Sequence, residues 1–290
     1  MTDVATGAPS RNGHQDGHGN GRPLAGLVAV SLAQNLPGPL ALEILAADGI
    51  GAIKVEPPSG DLLSHAAPGW YAELGQGIDT RQIDLRSGAG KAELDRLLAG
   101  ADLLITSQRP SALSRLGVTV ESLARVNPRL CWVEIVGDCD APEVPGHDLT
   151  YQIEAGLVAP PAMPRTLVAD LAGARDAART ALLLLLGRDR GSALRHRRVG
   201  LRQAAQDFAA PVRHGMTGDG GILSGVIPGY RIYRLADGWA AVAALEPHFA
   251  AAFSNEVGAD PESFFAARTV ADASALAQAH DLPISAIHAS

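Results

Sequence analysis

Aromatic residues are scarce, at 4% of the 290-residue chain, and only two cysteines occur, Cys131 and Cys139. Two thiols supply no disulfide framework, and neither has histidine neighbours at zinc-ligand spacing, so no metal site is expected. Cys131 lies in an apolar run, residues 130–136, and is expected to be buried. Basic residues are outnumbered, 24 Lys and Arg against 31 Asp and Glu, for a formal charge of −7. That balance lacks the clustered positive surface a nucleic-acid binder needs, and an anionic ligand would have to be met by a few arginines and helix N-termini. Long apolar runs are also missing. The greasiest stretch, residues 181–186, is too short to cross a bilayer and is expected as a buried helix. Residues 1–22 are rich in Gly, Asn and His and lack the apolar segment of a secretion signal. They are expected to be a disordered tail in which His14 and His18 are solvated. The expected setting is cytoplasmic, with no membrane.

What is present is an ordinary globular balance, 47% hydrophobic and 19% charged. With few aromatics, the core must be built from Ala, Leu and Val, which suits helices lying close on a sheet. From Pro23 onward the chain cycles between short apolar runs and helical stripes. Residues 27–32, 52–56, 82–85, 103–105 and 130–136 read as strands. A helix follows Pro37-Gly38-Pro39, another covers residues 91–98, and Thr119 or Ser122 caps one ending before Asn127-Pro128. Helices are also expected at residues 146–157 and 171–187. Strands alternating with helices imply right-handed crossovers and a parallel sheet covered on both faces. The fold class is therefore α/β: a Rossmann-like open parallel sheet over residues 23–213, followed by a smaller α+β domain, residues 214–290. The boundary rests on the glycine-rich segment 215–229. Beyond it, Ala236-Asp237-Gly238 between two β-rich runs signals a hairpin.

Two familiar sites do not fit. The turn into the first helix has one glycine between two prolines in place of G-x-G-x-x-G, although Glu56 stands where a ribose-binding acid would. No G-x-S-x-G elbow follows a strand. The run Arg195-His196-Arg197-Arg198 reads most simply as a solvated basic turn, with a contact to a phosphate as the alternative.

Several segments in a fixed order carry more information. They are Pro37-Gly38-Pro39; Leu45-Ala46-Ala47-Asp48-Gly49; Ile53-Lys54-Val55-Glu56-Pro57-Pro58-Ser59-Gly60-Asp61; and Gly100-Ala101-Asp102 with Arg109-Pro110 and Arg115-Leu116-Gly117. Gly146-His147-Asp148-Leu149-Thr150-Tyr151 and Ala169-Asp170-Leu171-Ala172-Gly173 follow, then Pro228-Gly229-Tyr230 and Ala244-Leu245-Glu246-Pro247. Together, over about residues 23–250, they resemble the family III CoA-transferases, with motifs nearest to the α-methylacyl-CoA racemases. The resemblance implies an acyl-CoA substrate, no further cofactor, and a homodimer interlocked so that each site joins one large domain to the partner's small domain. It places His147 and Asp170 at the α-carbon as an acid/base pair and Glu246 beside the histidine. Arg109, Asp148 and Tyr151 match CoA-binding positions.

An α-proton beside a thioester is weakly acidic, so its removal needs a positioned base and donors for the enolate oxygen. Inversion further requires an acid and a base on opposite faces. The transferase branch instead uses the aspartate at position 170 as a nucleophile, through a mixed anhydride and an enzyme–CoA thioester. From the residues alone, the simpler readings are a helix-start hydrogen bond for His147 and an N-cap for Asp170. The chain also departs from the pattern. Gln76-Gly77-Ile78-Asp79 replaces a basic stretch, Pro57-Pro58 lacks an arginine, Gly137-Asp138-Cys139-Asp140 is altered, and the relatives' C-terminal segment lies beyond Ser290. These departures motivate a third expectation, a CoA-binding subunit without turnover, and a small domain that is incomplete at its C-terminus.

Overall fold

The computed structural model describes residues 21–289. The expected tail, with His14 and His18, lies outside the described residues except for its last two positions. Two compact units divide the chain. The larger holds residues up to 147 together with 169–204, and the smaller holds 148–168 and 205 onward. The chain thus changes unit three times, where the glycine content of the sequence suggests a single boundary near residue 214.

The larger unit opens with β1 (Val28–Ser31), α1 (Pro37–Ala47) and β2 (Gly51–Glu56). Short helices α2 (Leu63–Ala66) and α3 (Pro68–Leu74) lead to β3 (Asp79–Gln82). Next come α4 (Gly88–Ala99), β4 (Leu103–Thr106), α5 (Pro110–Arg115), α6 (Val120–Val126) and β5 (Cys131–Val136). Past β5 the chain leaves this unit at α7 (Asp148–Glu154) and returns as α8 (Val168–Asp189). It then forms β6 (His196–Gly200) and enters α9 (Leu201–Phe208). All five strand pairings are parallel, in the order β3-β2-β1-β4-β5-β6. This is the doubly wound arrangement expected from the sequence.

Alternate residues of the strands feed two cores, one on each face. Ala29, Leu103, Ile105, Val133 and Ile135 pack against Leu42 and Leu45 of α1 and against α8. Val30, Leu104 and Trp132 face Leu94, Leu98, Leu113 and Leu123. Ala174, Ala177, Ala178 and Ala181 of α8 are all buried at helical spacing, so small side chains bring this helix close to the sheet. Of the two residues expected as caps, Thr119 is the N-cap of α6, and Ser122 completes a capping box with it.

Three expectations are corrected. The third strand lies at residues 79–82, three residues earlier than the strand expected at 82–85. The basic run at residues 195–198 is not a solvated turn. His196, Arg197 and Arg198 belong to edge strand β6, and two of them reach inward to Glu134 of β5. Asp170 does not cap a helix beginning at Leu171, because α8 starts at Val168 and Asp170 lies inside its first turn.

In the smaller unit, α10 (Ala210–Arg213) precedes a distorted helical turn, Ile222–Val226, within the glycine-rich segment. Strands β7 (Tyr230–Arg234) and β8 (Gly238–Ala243) form the hairpin predicted from Ala236-Asp237-Gly238, with Arg234 opposite Trp239. Helices α11 (Pro247–Val257), α12 (Pro261–Ala266) and α13 (Val270–His280) follow, and β9 (Ile284–His288) joins β8 antiparallel. Tyr233, Phe253 and Phe265 centre this unit's core, with the rings of Tyr233 and Phe265 stacked 4.7 Å apart. No helix among the described residues is long and apolar enough to cross a membrane.

Candidate active site

In a doubly wound sheet the strand order reverses between β1 and β4, and a crevice opens beyond their carboxyl ends. Here the two loops at that crevice are stitched together. Ser107 Oγ accepts from the Gln34 backbone N–H at 3.0 Å, and Gln108 Nε2 donates to the Leu32 carbonyl at 2.5 Å. Helix α1 starts on this loop with Pro37 and Pro39 in its first turn, so two of the N–H groups that cradle a pyrophosphate in dinucleotide folds are missing. Gly38 is there for a different reason: a Cβ on it would lie 2.1 Å from the Ala33 Cβ, so the helix start presses against the end of β1.

Glu56 is equally unsuited to a ribose. It is 3% exposed, accepts from Tyr71 Oη at 2.7 Å and pairs with Lys54 Nζ at 2.7 Å. Lys54 also pairs with buried Asp61 at 2.7 Å, and the second oxygen of Asp61 accepts from the backbone N–H groups of Asn35 and Leu63 at 2.9 and 3.0 Å. The Lys54 ammonium lies 4.7 Å from the centre of the Tyr71 ring. Burial, and then the bond to Glu56, push the Tyr71 phenol up to about 12. The segment from Lys54 to Asp61 is thus a buried charge network that fixes the β1–α1 loop, in which Asn35 takes a left-handed conformation with φ 66°. A cavity of about 270 Å³ lies beside it, lined by Pro39, Lys54, Tyr71 and Thr80 among others.

The loop from β5 to His147 is anchored at two points. Near its start, Asp138 accepts from Arg202 at 2.8 Å and Gln203 at 2.7 Å at the beginning of α9. The Gln203 bond, then the Asp140 backbone N–H and Arg202, hold its carboxyl below the usual range. Farther along, the Glu143 carboxylate accepts from Ser111 N at 2.7 Å and Ser111 Oγ at 2.8 Å, which also places negative charge on the first turn of α5. The turn carrying Arg109 and the loop ending in His147 are therefore held to one another.

Arg109 is the exposed residue preceding α5, and His147 is exposed immediately before α7. Asp170, in the first turn of α8, stands where the partial positive charge of a helix N-terminus favours an acidic residue. Since α8 runs back between parallel β5 and β6, that first turn lies toward the carboxyl edge of the sheet. Gly173, one turn on, has Leu201 against it: a Cβ there would lie 2.3 Å from Leu201 Cδ2. Arg109, His147 and Asp170 belong to the larger unit, and Asp148, Tyr151 and Glu246 to the smaller. Asp148 and Tyr151 are buried on one face of α7. Glu246 precedes α11 and is exposed, and its side chain makes no capping bond. Arg81, the one basic residue beside the altered stretch, is engaged with Asp79 and Glu93.

Sequence reasoning missed the residues that join the crevice loops, Gln34, Ser107 and Gln108, and it also missed Gln152 on α7. Gln152 is 1% exposed, and its amide donates both to the Asp148 carboxylate and, at 2.8 Å, to the Thr166 carbonyl. The available signal was its i, i+4 spacing from Asp148, which puts amide and carboxylate on one helix face.

The chain is similar to several known proteins. A probable fatty acyl-CoA transferase of Mycobacterium tuberculosis is 29% identical over 189 residues, 58% of this chain and 48% of that protein. Human α-methylacyl-CoA racemase is 28% identical over 251 residues, 78% of this chain and 62% of the racemase. Cinnamoyl-CoA:phenyllactate CoA-transferase of Clostridium sporogenes is 31% identical over 153 residues, 48% of this chain and 37% of that enzyme. The chain thus spans between 37% and 62% of the length of these curated relatives. A crystal structure of a Mycobacterium tuberculosis protein superposes with a TM-score of 0.80 at 23% identity, covering 93% of this chain and 86% of the other, and shares its fold. The profile of CoA-transferase family III matches residues 24–289, nearly the whole described chain, and the protein belongs to that family.

Proposed function

We propose that the protein moves the α-proton of an acyl-CoA thioester. His147 takes or gives the proton on one face and Asp170 does so on the other. The base removes the α-hydrogen, the electron pair of the C–H bond moves into an enolate, and the opposite group returns a proton to the same carbon. Glu246 orients His147, and Arg109, Asp148 and Tyr151 hold the CoA. The observation that carries this reading is a histidine, His147, on the loop that closes the β5 connection, in a chain that also has an aspartate in the first turn of α8. A transferase relying on Asp170 alone has no evident need for that histidine. The similarity to the human racemase, extending over 78% of this chain, agrees with it.

A second reading has Asp170 attack the thioester and pass CoA to another carboxylic acid, and the transferases among the relatives favour it. A third, a CoA-binding subunit without turnover, draws support from the engagement of Arg81 by two acids. The protein is further proposed to act in the cytoplasm as a homodimer. Exposed Leu182, Leu183 and Leu186 on α8, and Ile232, Trp239 and Ile287 on the outer sheet face of the smaller unit, are the kind of apolar surface a second copy covers.

The deciding experiment incubates the protein with a panel of acyl-CoAs in D₂O, with and without an acceptor acid. Deuterium at the α-carbon is expected, together with a fall of about 10²–10⁴-fold in epimer interconversion for His147→Ala. A CoA adduct trapped on Asp170 during turnover, with His147→Ala still active, would select the transferase reading. Neither exchange nor adduct with any acyl-CoA would leave the non-catalytic subunit.

A further inference from the structure

Asp148 leaves the larger unit one peptide bond after His147, and Thr166 lies four residues before Asp170, at the other end of the same excursion. Gln152 joins these two ends. Its side-chain nitrogen donates to the Asp148 carboxylate from one turn along α7 and to the Thr166 carbonyl at 2.8 Å. Both partners offer acceptors at this point, so the amide must present its NH₂ and not its oxygen, and each of its two hydrogens has one destination. Gln152 is 1% exposed and Asp148 4%, so the bond between these two, if unmade, would not be replaced by water. A glutamine serving only the helix could have satisfied Asp148 from an exposed position. The second bond, to a carbonyl beyond the helix, fixes the amide plane and with it the direction of the carboxylate.

We infer that Gln152 is a positioning residue for ligand binding: it holds the Asp148 carboxylate in the orientation that receives an N–H or O–H of the CoA moiety. This rests on the reading of Asp148 as a CoA contact. Leucine or methionine would fill the same volume but supply no donor, removing this bond from both the Asp148 carboxylate and the Thr166 carbonyl. Glutamate would place a third acceptor against two others.

The test is a double-mutant cycle on the full chain, read by calorimetric titration with CoA itself and by thermal unfolding of each variant. Q152M is expected to weaken CoA binding about tenfold or more per folded molecule, and D148A by a similar factor. The double variant should be no weaker than D148A alone, because Gln152 acts through Asp148. A purely structural role would lower the unfolding temperature while leaving CoA affinity unchanged, and that result overturns the proposal. Additive losses in the double variant overturn it too, since they mean Gln152 acts elsewhere. Should Q152M fail to fold, Q152L, which also fills the volume without a donor, takes its place in the cycle with the same expectation. Wild-type protein that binds no CoA removes the proposal together with the functional reading beneath it. Wild-type protein that binds CoA with Q152M unaltered removes the proposal alone.

Discussion

Lys54 holds three groups at once: the carboxylates of Glu56 and Asp61, both at 2.7 Å, and the face of Tyr71. All three charged residues are almost wholly buried, so the cluster cannot fall back on water when one member is lost. Lys54→Met should therefore destabilise by about 3–5 kcal/mol, as removal of one partner of a buried pair does, and should loosen the β1–α1 loop through Asp61. The denaturant midpoint measures the first effect, and hydrogen exchange at the Asn35 amide the second. A change below about 1 kcal/mol would show that the cluster contributes little net stability to the fold. Glu134 poses the same question at β5. Burial raises its pKa, but the bonds from His196 at 2.9 Å and Arg198 at 2.8 Å outweigh that, and the carboxyl lies below the usual range. A depressed folded-state value means the stabilisation is full above the ordinary glutamate pKa and is lost as pH falls through the folded one. Wild type should thus exceed Glu134→Gln in stability at pH 7, and the gap should narrow as the pH drops below the carboxylate range. A gap that stays constant with pH in unfolding titrations would mean the bonds matter but the charge does not.

Elements set by burial were legible, and elements set by position at an edge were not. β1, β2, β4 and β5 have neighbours on both sides and read as apolar runs, because every residue meets a helix on one face or the other. At the sheet edges, β3 was misplaced and β6 was read as a turn. β3 reads Asp-Thr-Arg-Gln and β6 reads His-Arg-Arg-Val-Gly, polar sequences that protect an open edge and carry no alternating apolar signal. In β6 the inward bonds to Glu134 replace apolar packing, which no periodicity measures. Helix starts erred by two or three residues for a related reason: Ala169 looks like the end of a loop until its complete burial is known. At α1 the sequence was informative because its glycine sits where only hydrogen fits. Gly38→Ala puts a methyl 2.1 Å from the Ala33 side chain, and since Ala33 has no rotamer to change, the backbone must move. The expected cost is about 1–3 kcal/mol, with α1 displaced from the end of β1. A wild-type melting temperature in that variant would show the loop to be softer than the Asp61 bonds imply.

At the scale of the whole molecule, the candidate site was legible through family likeness and not through local chemistry. His147, Asp170 and Glu246 are separated by up to 99 residues of chain, and nothing in their neighbours' periodicity links them. Gln152 escaped notice for the converse reason: a glutamine four residues after an aspartate is commonplace on a helix surface, and only its burial and its second bond to Thr166 distinguish it. The larger unit holds His147 and Asp170, and Glu246 belongs to the smaller one. The proposed interlocked dimer draws Glu246 from the partner, and mixing defective subunits can tell the two arrangements apart. In a heterodimer of H147A and E246A, one site would collect both substitutions and the other neither. With random assortment half the dimers are mixed, so about a quarter of wild-type epimer interconversion should return from two variants that nearly lack it. If His147 and Glu246 met within a single subunit, every site would carry one defect and mixing would restore nothing. The measurement is epimer interconversion by co-expressed variants against each variant expressed alone. Sedimentation should show dimers in all three samples, and activity near zero in a dimeric mixture would end the shared-site reading.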